Sequence, residues 1–198
     1  MRAFIAAFMI LIAASSAIAS VVEVGSPAPA FTATDLDGNV VHLSDFTGKI
    51  VVLEWINEGC PFSKGHYLSG NMQALQQEYT GKGVVWLTIN STRTDHPEYF
   101  APSAAKKQLA QWGTHATRNL IDTAGTVGHL YGAKTTPHMF VIDNQGVLRY
   151  SGAIDDHRAT DGGQTAHVNY VREALNALLA GKPVTTTTTT SYGCSVKY

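Results

Sequence analysis

Three things are scarce in this sequence, and each scarcity excludes something. Cysteine occurs only twice in 198 residues, as Cys60 and Cys194. Two thiols cannot build a four-thiolate zinc site or staple a disulfide-dense scaffold. Charge is sparse and balanced: 15% of residues are charged and the formal net charge is −1. With no basic excess to neutralise phosphates, nucleic acid is not an expected partner. Long apolar runs are also missing. The run Ala3 to Ala14 has twelve residues, where a membrane span needs about 20. The eight histidines include no His-x-x-x-His pair, and there is no Cys-x-x-Cys. No metal and no other cofactor is therefore expected. What is plentiful is apolar residues, at 44%, ample for one packed domain.

The first nineteen residues have the order of a secretory signal peptide. Arg2 supplies the positive start, Ala3–Ala14 the apolar stretch, and Ala17-Ile18-Ala19 a small-x-small site with cleavage before Ser20. The mature chain is then expected to be secreted or periplasmic, with no stable membrane insertion, in a compartment where disulfides persist.

Beyond that segment, strand and helix patterns alternate. Ala30–Thr34 and Val40–Leu43 flank Asp37-Gly38, a hairpin turn. Ile50–Ile56 and Val84–Ile89 are nearly all apolar, as in central strands covered on both faces. Pro61 opens a helix, and Leu68, Met72, Leu75 and Tyr79 form one stripe along it. A further helix runs from Pro102 to Trp112, and a short one lies within 124–131. His138–Ile142 and Val147–Tyr150 flank a second hairpin turn. Val168, Val171, Leu175 and Leu178 mark the last helix. This order predicts an α/β fold with helices flanking a central sheet. Residues 20–184 form the domain, and 185–198 a tail whose six threonines, Thr185–Thr190, read as a flexible extended tether.

Cys60 sits where an apolar strand ends and a helix begins, in Glu54-Trp55-Ile56-Asn57-Glu58-Gly59-Cys60-Pro61-Phe62-Ser63. Unpaired N–H groups and the helix dipole favour an anion there, which lowers a thiol's pKa and raises its nucleophilicity. Pro61 suits the first helical position, where no N–H partner is needed. The same pattern is compatible with an inert buried cysteine.

These residues resemble the thioredoxin superfamily, and within it the redoxins of the alkyl hydroperoxide reductase and thiol-specific antioxidant group. Val24-Gly25-Ser26-Pro27-Ala28-Pro29-Ala30-Phe31 is similar to the redoxin opening, and Leu43-Ser44-Asp45-Phe46-Thr47-Gly48-Lys49 to its second signature. Cys60-Pro61-Phe62-Ser63 stands in the place of a Cys-x-x-Cys site. Thr135-Thr136-Pro137-His138 resembles the cis-proline loop. Trp55-Ile56-Asn57, His66-Tyr67, Gly152–Asp156 and Tyr192-Gly193-Cys194-Ser195 resemble a peroxiredoxin-like bacterial subgroup. The resemblance implies a thioredoxin-like fold with an N-terminal β-hairpin extension and a thiol site. In it Pro137 would lie against the sulfur, and Glu54 would be a buried acid able to move protons. Trp55, Asn57, Pro61, Phe62, Ser63, Thr136 and His138 become candidates for the substrate site, Trp55 as a wall of it or as core. His138 could also stabilise the thiolate.

The sequence departs from that pattern in two ways. Ser63 removes the second active-site thiol. The Pro-x-x-x-Thr-x-x-Cys peroxidase pattern is absent, since Leu53 and Asn57 hold its Pro and Thr places. A second thiol is needed to complete a redox cycle. Cys194 on its tether could supply it, or could be an unrelated surface thiol or an intermolecular staple. Three readings follow. The first is thiol–disulfide exchange with a protein or small-thiol partner. The second is reduction of a hydroperoxide. The third is a non-catalytic metal- or partner-binding module.

Overall fold

A computed structural model describes residues 21–198. The expected signal peptide lies outside the described residues. Among the described residues, no helix is long and apolar enough to cross a membrane.

The centre is a seven-stranded sheet. In chain order its strands are β1 (Thr32–Asp35), β2 (Val40–His42), β3 (Val51–Trp55), β4 (Val85–Asn90), β5 (Arg118–Ile121), β7 (His138–Ile142) and β8 (Leu148–Gly152). In space the order is β2-β1-β5-β4-β3-β7-β8. Strands β3, β4 and β5 run parallel, while β7 and β8 return antiparallel beside β3. The N-terminal hairpin β1–β2 is joined to the sheet through β5. Strand β5 carries no strong apolar pattern, and its position follows from pairing with β1 and β4 rather than from its own sequence. A separate two-stranded ladder joins β6 (Thr135–Thr136) to β9 (Cys194–Ser195).

Alternation along β3 sorts its side chains between two cores. Val52 and Ile56 join one core with Trp86, Tyr67, Leu75, Leu109 and Leu175, beneath helices α1 (Pro61–Leu68), α2 (Asn71–Thr80), α3 (Pro102–Trp112) and α5 (Tyr170–Leu179). Val51, Leu53 and Trp55 join the other core with Phe140, Leu87 and Tyr131, beneath α4 (Thr126–Tyr131). Glu54 therefore points among apolar groups of the first face.

Two expectations are corrected. The single helix after Pro61 is two helices, because Gly70 takes a left-handed conformation (φ 80°) between α1 and α2. Leu68 consequently leaves the stripe and is 68% exposed, while Met72, Leu75 and Tyr79 are fully buried. The threonine tether is extended, as expected, but it is laid along the protein. Strand β8 is the sheet edge and has backbone groups to spare. Ser151 N–H donates to the Thr187 carbonyl, and Thr189 N–H to that of Ser151. The Thr189 hydroxyl accepts from Ala153 N–H and bonds Tyr150 Oη.

Candidate active site

The loop between β3 and α1 is fixed by one side chain. Asn57 Oδ1 accepts from Gly59 N–H at 2.7 Å, and its amide donates to Thr92 Oγ1 at 2.7 Å. The chain then turns so that Cys60 N-caps α1, with Pro61 at the first helical position. Cys60 is 0% exposed. Its Sγ lies 3.0 Å from the Thr136 carbonyl oxygen and 2.7 Å from Cys194 Sγ. Both cysteines are thiols.

The electrostatics of the two sulfurs differ. Burial pushes the Cys60 thiol up, but hydrogen bonds from Cys194 and the Ser63 backbone N–H outweigh it and hold the thiol below its ordinary value. Ser63 N–H belongs to the first turn of α1, the donor set expected at a helix N-terminus. Cys194 moves the other way. Burial, and then the neighbouring Cys60 sulfur, push it up to about 12. The pair thus holds one proton readily and keeps it on Cys194.

The second cysteine is placed by the ladder between β6 and β9. Thr136 pairs with Cys194 and Thr135 with Ser195. The Thr136–Pro137 peptide bond is cis. Gly193 crosses this loop so closely that a Cβ there would stand 2.2 Å from the Thr136 carbonyl oxygen. Two tyrosines clasp the segment on either side. Tyr192 is buried against Phe62 and His66, with ring centroids 6.0 and 6.2 Å away. Tyr198 stacks on His129 at 4.0 Å and donates to the Ala133 carbonyl at 2.8 Å. Gly128 gives that ring its space, since a Cβ there would meet the Tyr198 hydroxyl at 2.5 Å.

The remaining candidates divide. Glu54 is buried, and Oε1 accepts from Tyr67 Oη while Oε2 accepts from Gln76 and Trp86 Nε1. Desolvation outweighs these three donors and pushes its carboxyl up to about 7. Among the described residues no hydrogen bond links Glu54 to Cys60. Phe62 touches the tail and Ser63 lies buried, its hydroxyl without a partner. Trp55 is core rather than wall: it is 0% exposed, packs on Tyr131 and Phe140, and donates to Ser91 Oγ. His138 sits on that same face. It accepts from Lys134 N–H through Nδ1 and bonds Ser151 Oγ through Nε2, so neither nitrogen addresses Cys60. Burial pushes its imidazole down to about 4 and keeps it neutral.

Two further residues belong to the site. His66 is fully buried and bonds Tyr192 Oη at 2.9 Å. Asp155 is buried and accepts from Tyr192 Oη at 2.6 Å. The available signal was Gly193 between a tyrosine and a cysteine, a triplet too ordered for a free tether.

The helix-capping thiol, the cis-proline loop and the mixed sheet define a thioredoxin-like protein. The thioredoxin domain of a thiol-disulfide oxidoreductase from Bacteroides vulgatus superposes with a TM-score of 0.53 at 24% identity, covering 73% of this chain and 95% of that one. The AhpC/TSA family model matches residues 24–151, and the chain belongs to that family. An uncharacterized conserved protein from Geobacillus kaustophilus is 31% identical with a TM-score of 0.77, over 89% of this chain and 92% of that one. The thiol-disulfide oxidoreductase ResA of Bacillus thuringiensis is 32% identical over 125 residues, 63% of this chain and 66% of its own. The chain thus spans just under two thirds of that relative's length.

Proposed function

We propose that the protein is an extracytoplasmic thiol–disulfide oxidoreductase whose redox pair is Cys60 and Cys194. The observation that carries this reading is the 2.7 Å separation of the two sulfurs, one of them standing at a helix N-terminus and held below its ordinary pKa first by the other. The similarity to thiol-disulfide oxidoreductases and the signal-like N-terminus support the activity and the compartment.

In the oxidising direction for the protein, the Cys60 thiolate attacks one sulfur of a partner disulfide. A mixed disulfide forms, and the partner's other sulfur leaves as a thiolate and takes up a proton. Cys194 then loses its proton and attacks Cys60 Sγ. The Cys60–Cys194 disulfide forms and the partner leaves as a dithiol. The high pKa of Cys194 suits this order. After burial, its main cause is the neighbouring Cys60 sulfur, whose charge vanishes once the mixed disulfide forms. The second thiol becomes more acidic at the step that needs it. Thr136 and Pro137 hold the segment that carries Cys194 in place. Glu54, close to half-ionised near neutral pH, is the internal proton acceptor of this reading.

Exchange is favoured over hydroperoxide reduction because Leu53 and Asn57 replace the peroxidase motif, and Asn57 is spent on the loop. The test is non-reducing peptide mapping after graded oxidation. A Cys60–Cys194 peptide is expected in stoichiometric yield. Its absence under every oxidant, or oxidation of Cys60 by peroxide far faster than by disulfides, overturns the reading.

A further inference from the structure

Cys60 is wholly buried, and Cys194 on the tail stands 2.7 Å from its sulfur. A partner cysteine that takes the place of Cys194 requires residues 191–196 to lift. This inference rests on the exchange reading above. We propose that the seat of the tail is a peptide-binding site selective for a partner segment of the form Tyr-Gly-Cys, its phenol in the pocket of His66 and Asp155 and its cysteine over Cys60.

The tail shows what the seat accepts. Asn71 Nδ2 donates to His66 Nδ1 at 2.8 Å, which leaves the hydrogen of the neutral ring on Nε2. His66 Nε2 therefore donates to the phenol oxygen, and the phenol donates to Asp155 Oδ1. The pocket offers one buried donor and one buried acceptor, the complement of a phenolic O–H. Phenylalanine would leave the His66 donor unpaired and take from Asp155 Oδ1 one of its two donors, the other being His157 N–H, and a site built to bond a hydroxyl discriminates against the analogue that lacks it. Asp155 Oδ1 also accepts from the His157 N–H at 3.1 Å, while Oδ2 has no partner even with Tyr192 in place. Phe62 closes one side of the ring.

The residue before the cysteine is constrained independently. Gly193 has φ 123°, which side-chain-bearing residues rarely adopt, and a Cβ would collide with the Thr136 carbonyl. The cysteine itself is fixed by antiparallel pairing with Thr136. Once the tail lifts, the same edge and pocket stand open to an extended segment with the same spacing.

The test uses the full chain carrying Cys194→Ala, which keeps the tail but cannot resolve. Three blocked peptides are compared: Ser-Tyr-Gly-Cys-Ser-Val, the same with phenylalanine for tyrosine, and the same with alanine for glycine. Each carries its cysteine as a mixed disulfide with 5-thio-2-nitrobenzoate. Attack by the Cys60 thiolate on the peptide sulfur forms the protein–peptide disulfide and releases 5-thio-2-nitrobenzoate, read by absorbance and by the mass of the adduct. The Tyr-Gly-Cys peptide is expected to form adduct about tenfold or more faster than either variant. In a Tyr192→Ala/Cys194→Ala chain, where the pocket is vacant, that preference should widen. Equal rates for the three peptides overturn the pocket and leave exchange intact. Failure of Cys60 to react with any of them, or with free 5,5′-dithiobis(2-nitrobenzoate), overturns exchange itself and the inference with it.

Discussion

The surroundings of Cys60 and those of Cys194 meet at one pair of sulfurs but are built on opposite plans. Cys60 is held by its own neighbourhood: the end of β3, the Asn57 turn, the first turn of α1. Cys194 is held by segments far away in the chain, through Thr136, His66, Asp155 and His129. The first arrangement is local in backbone, and the thiol it fixes is made acidic by Cys194 and by the Ser63 N–H of its own helix. The second is long-range, and it brings a thiol that can leave again. A reactive sulfur needs a permanent environment, whereas a resolving sulfur must yield its place to a partner. The largest test of this contrast is to remove each sulfur in turn. Cys60→Ser should lower disulfide reduction by on the order of 10³-fold or more, as loss of a nucleophile does. Cys194→Ser should allow one turnover and stop, with a stable mixed disulfide at Cys60 visible by mass. If Cys194→Ser turns over normally, the tail is not the resolving half.

The same contrast explains what the sequence made legible. The apolar run Ile50–Ile56, the proline after Cys60 and the Thr136–Pro137 dipeptide are local signals, and the local half of the site followed from them. The docked tail, the burial of Asp155 and the inward turn of His66 depend on partners 37 or more residues away in sequence. Polar residues in loops carry no period that would mark them as buried. The break at Gly70 misled the reading of the helix stripe because the apolar spacing of α1 and α2 is nearly continuous across it. His138 misled for a simpler reason: adjacency to Pro137 in sequence does not set which face of β7 a side chain takes.

Glu54 offers a smaller test within the permanent half of the site. Its carboxyl is pushed from 4.5 to about 7 on folding. A raised carboxyl pKa means the folded state holds its proton while the unfolded state ionises. Stability from this group is complete below about 4.5, falls as pH rises, and levels off above about 7. The gap corresponds to about 3 kcal/mol. His66 and His138, each pushed down from 6.5 to about 4, act in the opposite sense and cost stability as pH falls through that range. Denaturation of the parent and of Glu54→Gln from pH 4 to 9 separates the two. The difference between the curves should fall with rising pH by about 3 kcal/mol. A flat difference would mean Glu54 is not the buried acid described.

Tyr192→Phe probes the removable half more gently. It keeps the ring against Phe62 and deletes the hydroxyl that joins His66 to Asp155. His66 Nε2 loses its partner and Asp155 Oδ1 keeps only the His157 N–H, at a cost of about 1–3 kcal/mol. That cost falls on docking of the tail rather than on the core. Alkylation of Cys194 should therefore accelerate about tenfold while the global unfolding midpoint moves little. An equal loss in both would place Tyr192 in the cooperative core and remove the distinction between the two halves.

The smallest expected effect is at Ser63, and it bears on where the second thiol function went. Ser63 occupies the place where a dithiol site carries its other cysteine, yet its hydroxyl is buried and bonds nothing among the described residues. Its backbone N–H, not its side chain, supports the Cys60 thiolate. Ser63→Ala should leave turnover within about twofold and raise stability slightly, since removing an unsatisfied buried hydroxyl of nearly the same volume is neutral or favourable. A collapse of turnover would mean that position 63 still handles a proton or substrate, and that Cys194 has not taken over the whole of its role. Unchanged turnover, set beside the arrest expected of Cys194→Ser, would assign the resolving function to the tail alone.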